Sequence, residues 1–292
     1  MLTNFHVLTL LIIELLLSFF LIKTIFFSLK FLKYYDRTLY NDKQFKLEKE
    51  TYLTSTILKI ILLIKIPLFF YYFFIMDHLS VYLHGAMCAV GTHNAFEPSY
   101  YLIFLKLITL FLSFYWLTIH KLDVSTPDLP FIKKKIFFAF ILSLLFIYET
   151  FFEFYIFYNI DPEKIVSCCG TLANESDQFL TKLLPYTKYL ILSQIIFFIS
   201  VVVTKKHIFL HLTSSFLFFI ISILLLIIFH SPYIYQEPLH KCPFCILQKE
   251  YFFIGYILYI LLIFPTITGI GRWFIYVMTK INIERWYYIT TS

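Results

Sequence analysis

Charge is what this sequence has least of. Asp, Glu, Lys and Arg make up 14% of 292 residues and hydrophobic residues 60%, whereas a soluble domain spends about a quarter of its positions on charge. Water is therefore excluded as the main solvent of the fold. Polar segments longer than a loop, low-complexity tracts and recognisable internal repeats are missing too, so the function lies in or at a membrane. The N-terminal apolar stretch has no basic leader and no A-x-A-like site and runs past twenty residues, which reads as a span, not a signal peptide. Glycine and alanine are scarce beside Phe, Ile, Leu, Tyr and Lys, a bias an AT-rich genome would also produce and one that carries no function.

The apolar residues come in long blocks, without the two-residue alternation of barrel strands, so each block satisfies its own backbone hydrogen bonds as a helix. Spans are expected at about 5–29, 54–76, 99–118, 136–159, 186–203, 208–229 and 251–271. The expectation is an all-α, polytopic bundle of about seven transmembrane helices, with residues 1–292 as a single integral membrane domain in contact with the lipid bilayer. The net charge of +6 does not point to nucleic acid, because the basic residues cluster at the ends of apolar blocks. Lys30, Lys33, Arg37, Lys43, Lys46 and Lys49 follow the first block and Lys121, Lys133, Lys134 and Lys135 the third; Lys205 and Lys206 follow the fifth, and Arg272, Lys280 and Arg285 lie in the tail. These fifteen against Lys164, Lys182, Lys241 and Lys249 in the remaining loops put the C-terminus inside and the N-terminus outside.

The outer loops, roughly 77–98, 160–185 and 230–250, hold all five cysteines: Cys88, Cys168, Cys169, Cys242 and Cys245. They also hold His78, His84, His93, His230 and His240. The charge rule never consulted cysteine, so two independent signals mark one face, read as the periplasmic side of a cell inner membrane. Asn174-Glu175-Ser176 fits a glycosylation sequon there, a three-residue match of little weight.

The most specific pattern is Cys242-Pro243-Phe244-Cys245-Ile246-Leu247-Gln248-Lys249, where the third outer loop runs into the last span. A Cys-x-x-Cys at a helix start is expected to favour thiolate through the helix dipole, with Lys241, Lys249 and a protonated His240 adding to the effect. Thiolate is the species that attacks a disulfide. A bracing disulfide or half of a metal site are the other readings of such a pair.

This segment resembles the disulfide-bond-formation protein B family, in which a similar Cys-x-x-Cys followed by Gln and a basic residue passes electrons to a bound quinone. Vitamin K epoxide reductases are a looser likeness. The resemblance implies Cys242 and Cys245 as the quinone-proximal pair, Gln248 and Lys249 as quinone contacts, and an external dithiol protein as partner. It covers about ten residues; that family is a four-helix bundle with its second cysteine pair in one loop.

Vicinal Cys168-Cys169 could form a strained ring, bind soft metal or pair elsewhere, and a bridge from Cys88 to one of them is expected. Cys88 sits between Gly85 and Gly91, in a segment expected to bend. The competing reading is a non-enzymatic component that binds or hands over a soft metal or haem through Cys88, Cys168, Cys169, Cys242, Cys245, His84 and His240, although no Cys-x-x-Cys-His or paired Cys-x-x-Cys zinc pattern occurs. A transporter with bracing disulfides is the third. Within the hydrocarbon, Glu14, Lys65, Lys106, Glu149 and Glu153 call for explanation, since an isolated charge there costs on the order of 3 kcal/mol. Glu149 and Glu153 share one helix face and are read as a proton relay, with pairing to lysine as the plainer alternative.

Overall fold

The computed structural model describes residues 1–36, 41–125, 131–166, 182–203, 207–236, 240 and 242–279. It is 86% helical, and no strand occurs among the described residues. The helices are α1 (Phe5–Tyr34), α2 (Asp42–Leu79), α3 (Ala89–Ala95), α4 (Ser99–Val124), α5 (Ile132–Asn159), α6 (Thr187–Val203), α7 (Ile208–Tyr235) and α8 (Ile254–Thr279). Six of them, α1, α2, α4, α5, α7 and α8, are long and apolar enough to cross a membrane. The chain is an all-α, multi-pass membrane protein. The described part of α6, at the remaining expected span, has 17 residues and sits at the lower limit of spanning length. Most helices run past the apolar blocks; α1, for instance, continues through Lys30 and Lys33 to Tyr34.

Two compact units divide the described chain. The first comprises residues 1–72 and 98–159, the second 73–97 and 160–279. In the first, Asn4 starts α1 by accepting the His6 N–H at 3.0 Å, and the chain leaves the helix extended at Tyr35. Val7, Leu10, Glu14, Leu17, Ser18 and Leu21 follow helical spacing and are buried, while Leu15, Leu16 and Phe19 on the other side are more than half exposed. Apolar outside with carboxyl and hydroxyl inside is the arrangement lipid demands and water would not tolerate. Ser18 Oγ donates to Thr150 Oγ1 at 3.2 Å between α1 and α5. Between α4 and α5, buried Asp123 pairs with buried Lys135 and accepts the Phe131 N–H at 3.0 Å. Lys135, counted from sequence as a loop cation, is thus an interior one.

In the second unit, Ser200 and Ser214 hydroxyls meet at 2.7 Å and Gln194 Nε2 donates to Ser222 Oγ at 3.0 Å, joining α6 to α7. A Cβ on Gly269 would fall 1.7 Å from Ser215 Oγ, so α8 approaches α7 where both present small residues. The segment Leu226–His230 of α7 is a π turn, a local widening that often accompanies functional sites.

The loop after α2 makes a 3-10 turn at Ser80–Tyr82 and then bends at Gly85, whose φ is +86°. A Cβ there would lie 2.1 Å from the Val166 carbonyl oxygen, beside the bond from Val166 N–H to the His84 carbonyl (2.9 Å). Gly85→Ala should therefore cost about 1–3 kcal/mol of backbone strain, or more with the clash. Thermal unfolding in detergent should show a clearly lowered midpoint; an unchanged midpoint would contradict the loop geometry.

Candidate functional site

Two buried constellations stand out, one in each unit. In the second unit, the Gly85 bend delivers Cys88 in an extended conformation (φ −159°) to the start of α3, where its carbonyl accepts the Gly91 N–H at 2.9 Å. From the other direction, α7 ends at Tyr235 and Gln236 turns into the left-handed region (φ 59°). Cys242 follows, and Cys245 opens the 3-10 turn Cys245–Leu247. Tyr235 Oη donates to the Cys242 carbonyl at 2.5 Å, and Tyr259 Oη, from α8, to the Pro243 carbonyl at 2.9 Å. Gln248 is the clasp between the two segments, since its Nε2 donates to Asp77 Oδ1 at 2.9 Å and to the Met87 carbonyl at 2.8 Å.

The result is a triad of sulfurs. Cys88 Sγ lies 3.7 Å from Cys242 Sγ, and the sulfurs of Cys88, Cys242 and Cys245 all lie within 4.8 Å of one another. All three are thiols and are at most 1% exposed. Val90, Leu226, Tyr235 and Ile246 pack around them, with Phe244, Tyr251 and Tyr259 at the margin. Three polarizable sulfurs at this spacing can exchange a disulfide bond or share a soft cation.

The helix-start expectation for Cys-x-x-Cys is corrected. Long helix α8 begins only at Ile254, after the turn Lys249–Tyr251 and two residues in the left-handed region, Phe252 and Phe253. Its N-terminal dipole therefore does not act on Cys245, because such effects fade within one turn. Lys249 is exposed. Lys241, Cys168 and Cys169 lie outside the described residues, and so does the expected bridge from Cys88 to the vicinal pair.

The histidines rank differently than sequence suggested. His84 is exposed and its carbonyl accepts the Val166 N–H, and the His240 ring lies tilted against Tyr235 with centroids 4.3 Å apart. His93, given less weight, is fully buried on α3, 6.3 Å from the Phe244 ring. Burial pushes its pKa down to about 3, so it stays neutral at ordinary pH. Its signal in the sequence was its place on the short apolar helix directly after Cys88.

The second constellation lies in the first unit. Lys106 Nζ reaches Glu149 Oε1 at 3.0 Å and Glu153 Oε2 at 3.2 Å. Lys65 pairs with Glu14 Oε2 and lies 3.6 Å from Glu149 Oε1. Thr109 Oγ1 donates to Glu149 Oε2 at 2.6 Å, and Thr150 Oγ1 to Glu14 Oε2 at 3.2 Å. All five charged residues are at most 5% exposed. The pairing with lysine, weighed from sequence beside the relay, is present. What sequence could not supply was the partnership of four helices in one network.

The chain matches no protein-family model, no curated protein and no solved structure.

Proposed function

We propose that this protein is an inner-membrane thiol–disulfide oxidoreductase whose three clustered thiols face the outer compartment and pass two electrons to a membrane quinone. The single observation that supports the reading is the 3.7 Å approach of Cys88 Sγ to Cys242 Sγ across 154 residues of sequence. That approach supplies the Cys-x-x-Cys pair with a third thiol at exchange distance.

With Cys242 and Cys245 joined, the Cys88 thiolate attacks Cys242 Sγ, a Cys88–Cys242 bond forms, and Cys245 leaves as thiolate and takes up a proton. One thiolate of an external dithiol then attacks Cys88 and displaces Cys242, which is protonated in turn. The second external thiolate closes the substrate disulfide and returns Cys88. The substrate loses two electrons and two protons, and Cys242 and Cys245 end as a dithiol. Because Cys88 is buried, the substrate enters only when the loop beside it opens; Met87, 73% exposed, marks the way in. Cys168 and Cys169 belong to this reading as thiols that meet the external substrate together with Cys88.

Of the two residues the family likeness assigns to quinone, Lys249 fits, since its side chain is exposed beside the pair. Gln248 fits less well, because its amide nitrogen already clasps Asp77 and Met87. A bound quinone would accept two electrons and two protons. The part left to this chain is to hold the pair close to Lys249 and keep water away with Phe244, Tyr251 and Tyr259.

A soft metal cation is the second reading, favoured by three buried sulfurs within 4.8 Å. One experiment separates the two. The purified chain should oxidise a reduced dithiol protein in the presence of a soluble quinone, lose that activity in Cys242→Ser, and slow its reoxidation step in Lys249→Ala. A stoichiometric copper or zinc content with no oxidase activity would replace the redox reading by the metal one. Orientation has its own check: an outside-only reporter should be active after residues 88, 169 and 245 and silent after 45, 130 and 206.

A further inference from the structure

The charged network of the first unit does not balance. From every helix packed around it come Glu14 (α1), Lys65 and Tyr72 (α2), Lys106 (α4), and Glu149 and Glu153 (α5). Three carboxylates face two ammonium groups, which leaves one negative charge if all five are ionised. In a buried, low-dielectric setting such a charge is expensive and is met by a counter-charge or by neutralisation.

The hydrogen bonds say where that charge sits. Glu149 is satisfied at both oxygens, by Lys106 and Lys65 at one and by Thr109 at the other. Glu14 and Glu153 each use Oε2 only. Their Oε1 atoms have no hydrogen-bond partner among the described residues, although both side chains are 0% exposed. Oxygens of Glu14, Glu149 and Glu153 lie within 4.8 Å of one another. Glu14, Lys65, Lys106, Glu149 and Thr109 also line a small cavity of about 10 Å³, close to the size that admits a single water.

We propose that this cluster is a proton-binding site inside the membrane, holding one proton shared between Glu14 and Glu153, while Glu149 remains the ionised partner of both lysines. The proton completes the charge balance and supplies the donor that the two Oε1 atoms lack. Two carboxyls sharing one proton behave as a single titrating unit, and the cavity gives a water room to exchange with it. This departs from the sequence expectation, in which Glu149 and Glu153 formed the relay, and it stands without the sulfur chemistry of the other unit.

The test is infrared spectroscopy of the full chain in lipid at pH 7. A band for one protonated carboxylic acid should be present, should shift when glutamate alone is labelled with carbon-13, and should not respond to sodium. Glu14→Gln or Glu153→Gln leaves two carboxylates against two lysines, so the band should vanish in either. Lys106→Met should double it. No such band in the labelled wild type, its collapse on adding sodium, or its persistence in both glutamine variants would overturn the proposal. The wild-type measurements decide even where a variant fails to fold.

Discussion

Mild oxidation of a Cys245→Ser chain should yield a Cys88–Cys242 disulfide as its main product. The two sulfurs stand 3.7 Å apart, and without Cys245 nothing in the pair can resolve the bridge once it forms. The link would join residues 154 apart in sequence, and constraining so long a loop stabilises by about 5 kcal/mol on the chain-entropy account. Oxidised Cys245→Ser should therefore unfold at a markedly higher temperature than its reduced form. Cys88→Ser should show neither the Cys88–Cys242 bridge nor the gain, because among the three clustered thiols only the short Cys242–Cys245 ring remains, and closing a two-residue loop restrains little. Peptide mapping under non-reducing conditions reads the bridge directly. Adducts between separate chains with no internal bridge would contradict the triad.

Lys106→Met should be among the most damaging single substitutions in the chain. It strands Glu149 and Glu153, which are buried and share that ammonium group at 3.0 and 3.2 Å, and breaking a buried pair from one side costs roughly 3–5 kcal/mol. Adding Glu149→Gln to the same chain should recover part of the loss, since one stranded carboxylate is then gone. The exposed pair Lys30–Glu50 has a comparable separation, 2.8 Å, with side chains 51% and 31% exposed. Lys30→Met should cost no more than about 1 kcal/mol. The contrast between the two lysines isolates burial from distance. Equal effects in thermal unfolding would mean that the Lys106 network is solvated.

Much of the architecture was legible because lipid imposes a simple rule on sequence. The apolar blocks at 5–29 and 136–159 reappear within α1 and α5, and the helices outrun the blocks because lysines such as Lys30 and Lys33 extend toward water while their backbone stays helical. Lys135 was misplaced by the same rule, which counts a cation near a helix end as exposed and cannot see an aspartate such as Asp123 arriving from the neighbouring helix.

The candidate sites were legible as inventories and not as pairings. Five charges inside apolar blocks announced themselves, yet nothing in a linear pattern joins Glu14 to Lys65 or places Thr109 on Glu149. Cys242 and Cys245 announced themselves as well, but their meeting with Cys88 depends on the bend at Gly85 and the clasp by Gln248. The helix-start reading failed because the residues after Cys245 form short turns and pass through the left-handed region before α8 begins. His93 was underweighted because a histidine in a loop is ordinarily solvated, whereas this one lies in a short helix that the fold buries.

The most direct measurement is the oxidation state of the three clustered thiols in wild-type protein taken from its membrane, quenched in acid and alkylated before and after exposure to a quinone. The redox account predicts that a dithiol substrate reduces Cys242 and Cys245, with Cys88 transiently bridged to Cys242, and that the two return to a disulfide when quinone is added. All three thiols remaining alkylatable after quinone, with one equivalent of copper or zinc released on denaturation, would contradict it.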